Sequence, residues 1–475
     1  MRLPLLLLAL LACTPARAET ETTWMKVLID GRKIGHVVST REVSGDRVTT
    51  TERMEASIDR AGIFIAMTTE ERSVETRDGR PLSFSSTAGL SGVTTLTEGE
   101  VVDGVVRVKT TSFGRTDERT LPWPEGAVMS EGARLLEMKH GLAPGTSYEM
   151  LAFEPSNLIA IPVKTRVVGT ETVTTGLVAE ELIRIDQRLE LPGAPIDAQT
   201  WVDADHGLRK SILPLLGMSL EMIACDEACA KAPNQPADLL DRTMVSAPRA
   251  LSADERANEV ETSIVLKGTA EATLPSVGEQ RSTRDGARSW RVNINPDAIR
   301  DRTKPKAVDR AATRWLESDS EEIVALAKEG AGDASGDFAR MRALERHVRG
   351  YITNKSLRVG YASALETVRS REGDCTEHAL LLAALGRALG IPTRVVNGLA
   401  YADAFGGRSH VFVPHAWVQA WVGDRWESFD AALPGYDAAH IAFAVNDGDP
   451  AGFYSSVNLL GNIEITGFSR GAGAD

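Results

Sequence analysis

Basic surplus, cysteine and long apolar runs are all scarce in this 475-residue chain. Lys and Arg number 53 against 66 Asp and Glu, a formal net charge of −13, so the electrostatic footprint of a nucleic-acid binder is missing. No Gly-rich P-loop or dinucleotide fingerprint stands in the chain, and no cofactor or metal is expected. The one strongly apolar run, Leu3 to Ala12, is too short to span a bilayer, so no transmembrane helix is expected either. What remains is ordinary for globular protein. The composition, 43% hydrophobic and 25% charged, argues against wholesale disorder. The length implies about two or three domains.

Arg2, the run Leu3 to Ala12 and then Ala16-Arg17-Ala18 read as a secretory signal peptide over residues 1–18, with a mature chain from Glu19. A competing reading takes Leu10-Leu11-Ala12-Cys13 as a lipobox that anchors the protein through Cys13, although Leu11 is uncommon there. Either way the expected location is periplasmic or secreted. Cleavage after Ala18 leaves three of the four cysteines. Cys225 and Cys229 are close enough to bridge across a turn in an oxidising compartment. Cys375 is then the odd thiol, either reactive or a buried free cysteine, and its context has to decide.

From Thr23 to about Met244, short β-type runs alternate with turn residues. Trp24 to Ile29 before Asp30-Gly31, and Val101-Val102 before Asp103-Gly104, read as hairpins with Asp-Gly turns. Val163 to Val168, Glu180 to Leu189 and Thr200 to Val202 are further strands, and one helix is expected around Met129 to His140. Residues 19–245 are thus an antiparallel, β-rich N-terminal domain. Residues 246–305 form a small β segment or linker, with strands over Val260 to Lys267 and Ser289 to Ile294. From Val308 the period becomes helical: one stretch begins at Ala312 to Leu316. A second runs from Asp337 to Ile352, with Phe338, Met341, Leu344, Val348 and Tyr351 on one face. This third region spans 306–465, and 466–475 is read as a flexible tail.

Its chemistry centres on Cys375. The run after Gly373-Asp374-Cys375, Thr376 to Leu389, is rich in strong helix formers and apolar nearly all round, which predicts a buried helix stopped by Gly390 and Pro392. Cys375 therefore stands at a helix N-terminus, where the macrodipole stabilises a thiolate and the Cys375 backbone N–H is free to stabilise an oxyanion. Thr393 to Tyr401 follows as a strand, Ala402 to Ser409 as a polar loop, and His415 to Val422 as another strand. Gly423-Asp424 is a two-residue turn into Arg425 to Asp430. If Val422 faces Arg425, Trp417 faces Asp430 and His415 lies on the same face, within reach of Asp430. A one-residue slip would separate them. Cys375, His415 and Asp430 are then nucleophile, base and orienter.

The segments "GDCTEHALLLAALGRALGIPTRVVNGLAY", "HAWVQAWVGDRWESFDAA" and "DAAHIAF" resemble the bacterial transglutaminase-like superfamily, with its papain-like α+β core. The resemblance places that family's nucleophile, base and acid on Cys375, His415 and Asp430. Two departures bear on substrate preference: Asp430-Ala431-Ala432 replaces a frequent Asp-Pro-Thr, and Gln419 stands where an acid is frequent. The expected architecture is α+β, a C-terminal core of this type behind a β-rich region. The expected activity is an exported cysteine peptidase, amidase or transglutaminase-type acyltransferase working through a thioester. Hydrolysis is favoured, and the partner is a peptide or protein, with cell-wall peptide as a candidate. The alternative is a non-catalytic envelope binding or assembly protein that keeps the fold as scaffold. A zinc set using Cys375, His378 and His410 would consume the thiolate. Glu377 reads as complementing the helix dipole, Trp417, Trp421 and Trp426 as core or cleft wall, and His440 as structural.

Overall fold

The computed structural model describes residues 19–469 except 61–62, 91–92, 113–114, 176–177, 192–194, 216, 268–271, 299–300, 358–360 and 450–458. The expected leader 1–18, Cys13 and residues 470–475 lie outside the described residues.

Fifteen strands between Glu19 and Cys225 form one sheet. Its centre is Glu19–Ile29, which pairs with Arg32–Ser44 on one side and Met218–Cys225 on the other. The two ends of the domain therefore meet in mid-sheet. Both Asp-Gly turns are left-handed at each residue (φ 46° and 77° at Asp30-Gly31, 50° and 76° at Asp103-Gly104), the type I′ geometry that matches strand twist. The expected helix is Ser130–His140. Met129 offers it no side-chain cap, so Glu75 reaches across and accepts the N–H groups of Glu131 and Gly132 at 2.7 and 3.0 Å. Cys225 and Cys229, close enough in sequence to bridge, are free thiols on either side of Asp226, which caps the turn between them. Burial and the neighbouring Cys229 push the Cys225 thiol up to about 11.

Of the two readings of 246–305, small β segment or linker, the described residues carry the strands of the first. Val260–Leu266, Gln280–Arg284 and Ser289–Ile294 join Ile463–Ser469 in a four-stranded sheet. Its inner face, including Ile264, Val292 and Ile465, shares a core with Leu399, Phe412 and Ile441 of the next sheet. Residues 466–469, expected in a tail, end its last strand. Val245–Ser246, placed at the domain boundary, already pairs with Val411 and Phe412. Long-range pairing of this kind leaves no local signal.

The helical region starts later than its apolar pattern suggests. Ala312 to Leu316 is not helical: Thr313 Oγ1 accepts the N–H groups of Trp315 and Leu316 at 3.3 and 3.1 Å, a local turn that competes with helix. Ser320 then caps Glu321–Ala331. Asp337–Tyr351 follows as expected, with Met341, Leu344 and Val348 buried, but Phe338 is 47% exposed. These helices and Ala364–Ser370 surround Cys375–Ala388, in which every residue from Glu377 to Arg387 is buried. Burial of Leu380, Leu381, Leu382 and Leu385 stabilises by about 1.5–3 kcal/mol each. Behind this helix the sheet runs Val245–Ser246, Arg408–Val422, Thr393–Phe405, His440–Asn446, with Arg425–Phe429 also on Arg408–Val422. The expected 402–409 loop shrinks to Gly406-Gly407, because both glycines take positive φ (55° and 77°) and let the strands run on to a tight turn. Among the described residues no helix is long and apolar enough to cross a membrane.

Candidate active site

Asp374 caps the Cys375–Ala388 helix. Its carboxylate accepts the N–H of Thr376 at 2.9 Å and that of Glu377, and Glu377 Oε2 accepts the Asp374 N–H at 2.8 Å. The cap makes no claim on the N–H of Cys375, the first helical residue, for which no acceptor stands among the described residues. Glu377 does more than complement a dipole. It is fully buried, and its other oxygen accepts the N–H of Ala362 at 3.0 Å, tying that loop to the helix start. Burial, then Asp374, pushes its carboxyl up to about 8. The Asp-x-x-Glu spacing was legible in the sequence as a capping box.

The hairpin has the expected register. Val422 pairs with Arg425 and Val418 with Phe429, around a Gly423 at φ 67°. Asp430 follows directly, and His415 Nε2 lies 2.8 Å from its Oδ2. A carboxylate oxygen only accepts, so Nε2 carries the proton and Nδ1 is the nitrogen left for the Cys375 thiol, which lies close enough to act on the charge of the imidazole. Burial alone would lower the His415 pKa, but the Asp430 charge and the contacts to Asp430 and Cys375 outweigh it and raise it to about 9. Asp430 is fully buried. Desolvation opposes its charge, yet His415 and His440 hold its carboxyl well below the usual range. The structure thus brings together all three residues singled out from sequence, with Cys375 partly exposed at the helix start.

Asp430 is gripped from further sides. Its Oδ1 accepts the N–H groups of Ala432 and Leu433 at 2.8 and 3.1 Å. The Ala-Ala departure therefore leaves this turn intact, since backbone does the bonding. From Asp337–Tyr351, Glu345 accepts the Asp430 N–H at 2.8 Å, and Arg349, one turn on, donates to its carbonyl at 2.9 Å. Sequence reasoning missed this pair. The available signal was Glu345, 4% exposed, beside the apolar stripe of its helix. His440, read from sequence as structural, lies with its Nε2 3.1 Å from the same Asp430 Oδ2.

Other candidates fall where their bland readings put them. His378 Nδ1 lies 2.6 Å from the Asp374 carbonyl, and His410 Nδ1 lies 2.9 Å from the Tyr401 hydroxyl, so they do not assemble a ligand set with Cys375. Trp417 is buried and stacks on His415 (6.2 Å, 21°), whereas Trp421 and Trp426 pack on each other. Gln419 accepts from Arg394 and donates to Ser428 at 3.2 Å. A carboxylate there would stand near Glu279, which Ser428 also contacts and which burial pushes up to about 7. His415, Asp430 and His440 place three donor atoms within 4.8 Å of one another. Both Nε2 atoms are already protonated toward Asp430 Oδ2, so the set does not fit a metal. A cleft of about 1100 Å³ lies on the N-terminal sheet and is lined by Lys164, Arg166, Arg188, Asp186 and Asp197 among others. Its charges neutralise one another, as Arg188 does with Asp197 at 3.2 Å, and none of the Cys375 surroundings lines it.

Residues 324–431 match the profile of the transglutaminase-like superfamily. The chain carries a transglutaminase-like domain. A 68-residue stretch is 35% identical to an uncharacterized protein of Mycobacterium leprae, covering 14% of this chain and 24% of that protein. The chain thus spans about a quarter of the length of that curated relative. Among solved structures, a candidate cysteine protease from Cytophaga hutchinsonii is 18% identical, with 45% of this chain and 85% of that one covered and a TM-score of 0.27. A candidate protease from Parabacteroides distasonis is 11% identical, with 74% and 68% covered and a TM-score of 0.20. Within the transglutaminase-like domain the matched residues run from Val324 through Cys375 and His415 to Ala431, one residue past Asp430.

Proposed function

We propose that the protein is an exported cysteine enzyme that opens amide bonds through a thioester on Cys375, with hydrolysis favoured over transamidation. The observation that carries this reading is the 2.8 Å bond that commits His415 Nε2 to Asp430 and leaves Nδ1 as the nitrogen available to the Cys375 thiol. The thiolate attacks the amide carbonyl, and the resulting oxyanion takes the Cys375 N–H at the helix start. His415 passes its proton to the leaving nitrogen as the C–N bond breaks, which leaves a thioester and a neutral imidazole. Water then gives a proton to His415 as it attacks the thioester, releasing a carboxylic acid and restoring the thiolate–imidazolium pair. An amine in place of water would give transamidation by the same steps. The leader-like residues 1–18 support export to the periplasm or medium, where peptides, including those of the cell wall, are the substrates to offer.

The test incubates the protein with glutamine-containing and cell-wall peptides, with and without an added amine. Quenched samples are mapped by mass spectrometry. An acyl adduct on Cys375, with free amine or ammonia released, is expected. No adduct, together with Cys375 alkylation no faster than in unfolded protein, would leave the transglutaminase-like domain as a scaffold.

A pH dependence follows from His415. Its raised pKa places the alkaline limb of acyl transfer near pH 9, where the imidazolium that protonates the leaving group is lost. A profile whose alkaline limb falls near the ordinary histidine value of 6.5 would contradict the ion pair.

A further inference from the structure

We propose that His440 is a positioning residue of this site: a fixed imidazolium that grips Asp430 by the same oxygen as His415 and so makes His415 a readier proton donor. Its effect on turnover rests on the acyl-transfer reading; its charge state does not.

The charge follows from what each ring nitrogen faces. His440 Nε2 lies 3.1 Å from Asp430 Oδ2, an atom that can only accept. His440 Nδ1 lies 2.9 Å from Asp437 Oδ1 and 3.1 Å from the Asp437 carbonyl, again acceptors, and these two shorter contacts compete with the Asp437 N–H, which points at Nδ1 as a donor from 3.3 Å. The shorter contact at each nitrogen is to a carboxylate oxygen, which favours a proton on both. The ring is 1% exposed, and a cation so buried persists only when paired, here with a carboxylate at each end. Burial by itself opposes the charge, but Asp430 and Asp437 raise the His440 pKa to about 10.

The groups around His440 come from several elements. Asp430 and His415 belong to the hairpin, with the His415 ring 5.6 Å away at 63°. Asp437 and Tyr436 come from the loop before its own strand, the Tyr436 ring at 4.8 Å. Arg256 reaches Asp437 at 3.8 Å, and Glu279 stands behind Tyr436. Trp417 closes the other side at 5.3 Å. The result is a row of alternating charge, His415, Asp430, His440, Asp437, with His415 at the end nearest Cys375 in the electrostatics of the site.

A plug of the core would need shape alone; this row has a chemical consequence. Asp430 Oδ2 divides its attraction between two cations, so His415 is held less tightly as an imidazolium than it would be alone. When His415 releases its proton to the leaving nitrogen, His440 keeps both of its own, and Asp430 stays ionised and in place. A neutral residue at 440 removes that second cation. The His415 proton becomes harder to release, and its midpoint moves up by about one pH unit, as expected for a charge near 5–6 Å in a partly screened interior.

The experiment labels the eight histidines of the full chain with nitrogen-15 and follows their titration by NMR, in wild type, His440→Gln and Asp437→Asn. His440 in the wild type is expected to show two protonated nitrogens at pH 7.5. In His440→Gln the His415 midpoint rises by about one unit and thioester formation slows about tenfold. Asp437→Asn changes a residue whose side chain is 29% exposed, so it keeps the test open if the buried variant fails to fold. It should lower the His440 midpoint and move His415 in the same direction as His440→Gln. A neutral His440 at pH 7.5, or a His415 midpoint unmoved in both variants, would overturn the assignment. A wild type with an intact His440 imidazolium that forms no thioester would count against the acyl-transfer reading alone.

Discussion

Asp430→Asn is expected to lower acyl transfer about 10⁴-fold and to destabilise the fold by about 3–5 kcal/mol, although the two side chains match in size. The reason is a conflict of donors. One carboxylate oxygen accepts the N–H groups of Ala432 and Leu433, and the other accepts Nε2–H from both His415 and His440. An amide has a single oxygen, so its NH₂ group must face two N–H donors whichever way it turns. With the charge gone, both imidazoles lose the partner that raised them. The sign of the pH dependence is then fixed. Histidines raised to about 9 and 10 contribute stability that is full below 6.5 and lost as pH rises through those values. Asp430, held low, contributes stability that is present above its ordinary 3.8 and lost as pH falls through its depressed value. The gap between wild type and variant in urea unfolding should accordingly be widest near pH 6 and narrow toward pH 10. A gap independent of pH, or activity within tenfold of wild type, would contradict the charge row.

Gly373→Ala is expected to cost about 2–4 kcal/mol and to lower acyl transfer about 100-fold, with no change to any reacting group. A Cβ at 373 would lie 2.3 Å from Glu377 Cβ and 2.6 Å from its Cγ. Glu377 cannot swing aside freely, because it is buried and its two oxygens hold the N–H groups of Ala362 and Asp374. Either those donors are orphaned or the helix start moves, and Cys375 moves with it relative to His415. Gly350→Ala is the contrast: nothing lies within 4 Å of its Cβ and the residue is helical, so it should be neutral or stabilise by about 0.5–1 kcal/mol. Comparing the two by urea midpoint and by rate of thioester formation separates a crowded helix start from a general intolerance of alanine. Equal behaviour of both variants would remove the role given to the Gly373–Glu377 contact.

The site could be read so far from sequence because its central pieces obey short-range rules. Strand period, a two-residue turn and a helix start are set by neighbouring residues, so Gly423-Asp424 alone was enough to place His415 beside Asp430. The same rules misplaced the start of the helical region, where one hydroxyl, that of Thr313, outweighed an apolar pattern. They also made Ala402 to Ser409 a loop, since exposed strand and polar loop look alike in composition.

By itself the sequence determined the β-rich first region, the buried Cys375–Ala388 helix and the register that joins His415 to Asp430. Only the tertiary structure decided the rest. It set Glu345 and Arg349 on the Asp430 backbone from more than 80 residues away, and put His440 on its second flank. It also closed a four-stranded sheet with Ile463–Ser469. Local pattern specifies which face a residue takes, but the partner across a core is chosen by packing and by the need to satisfy every buried charge. No stretch of chain carries that information alone.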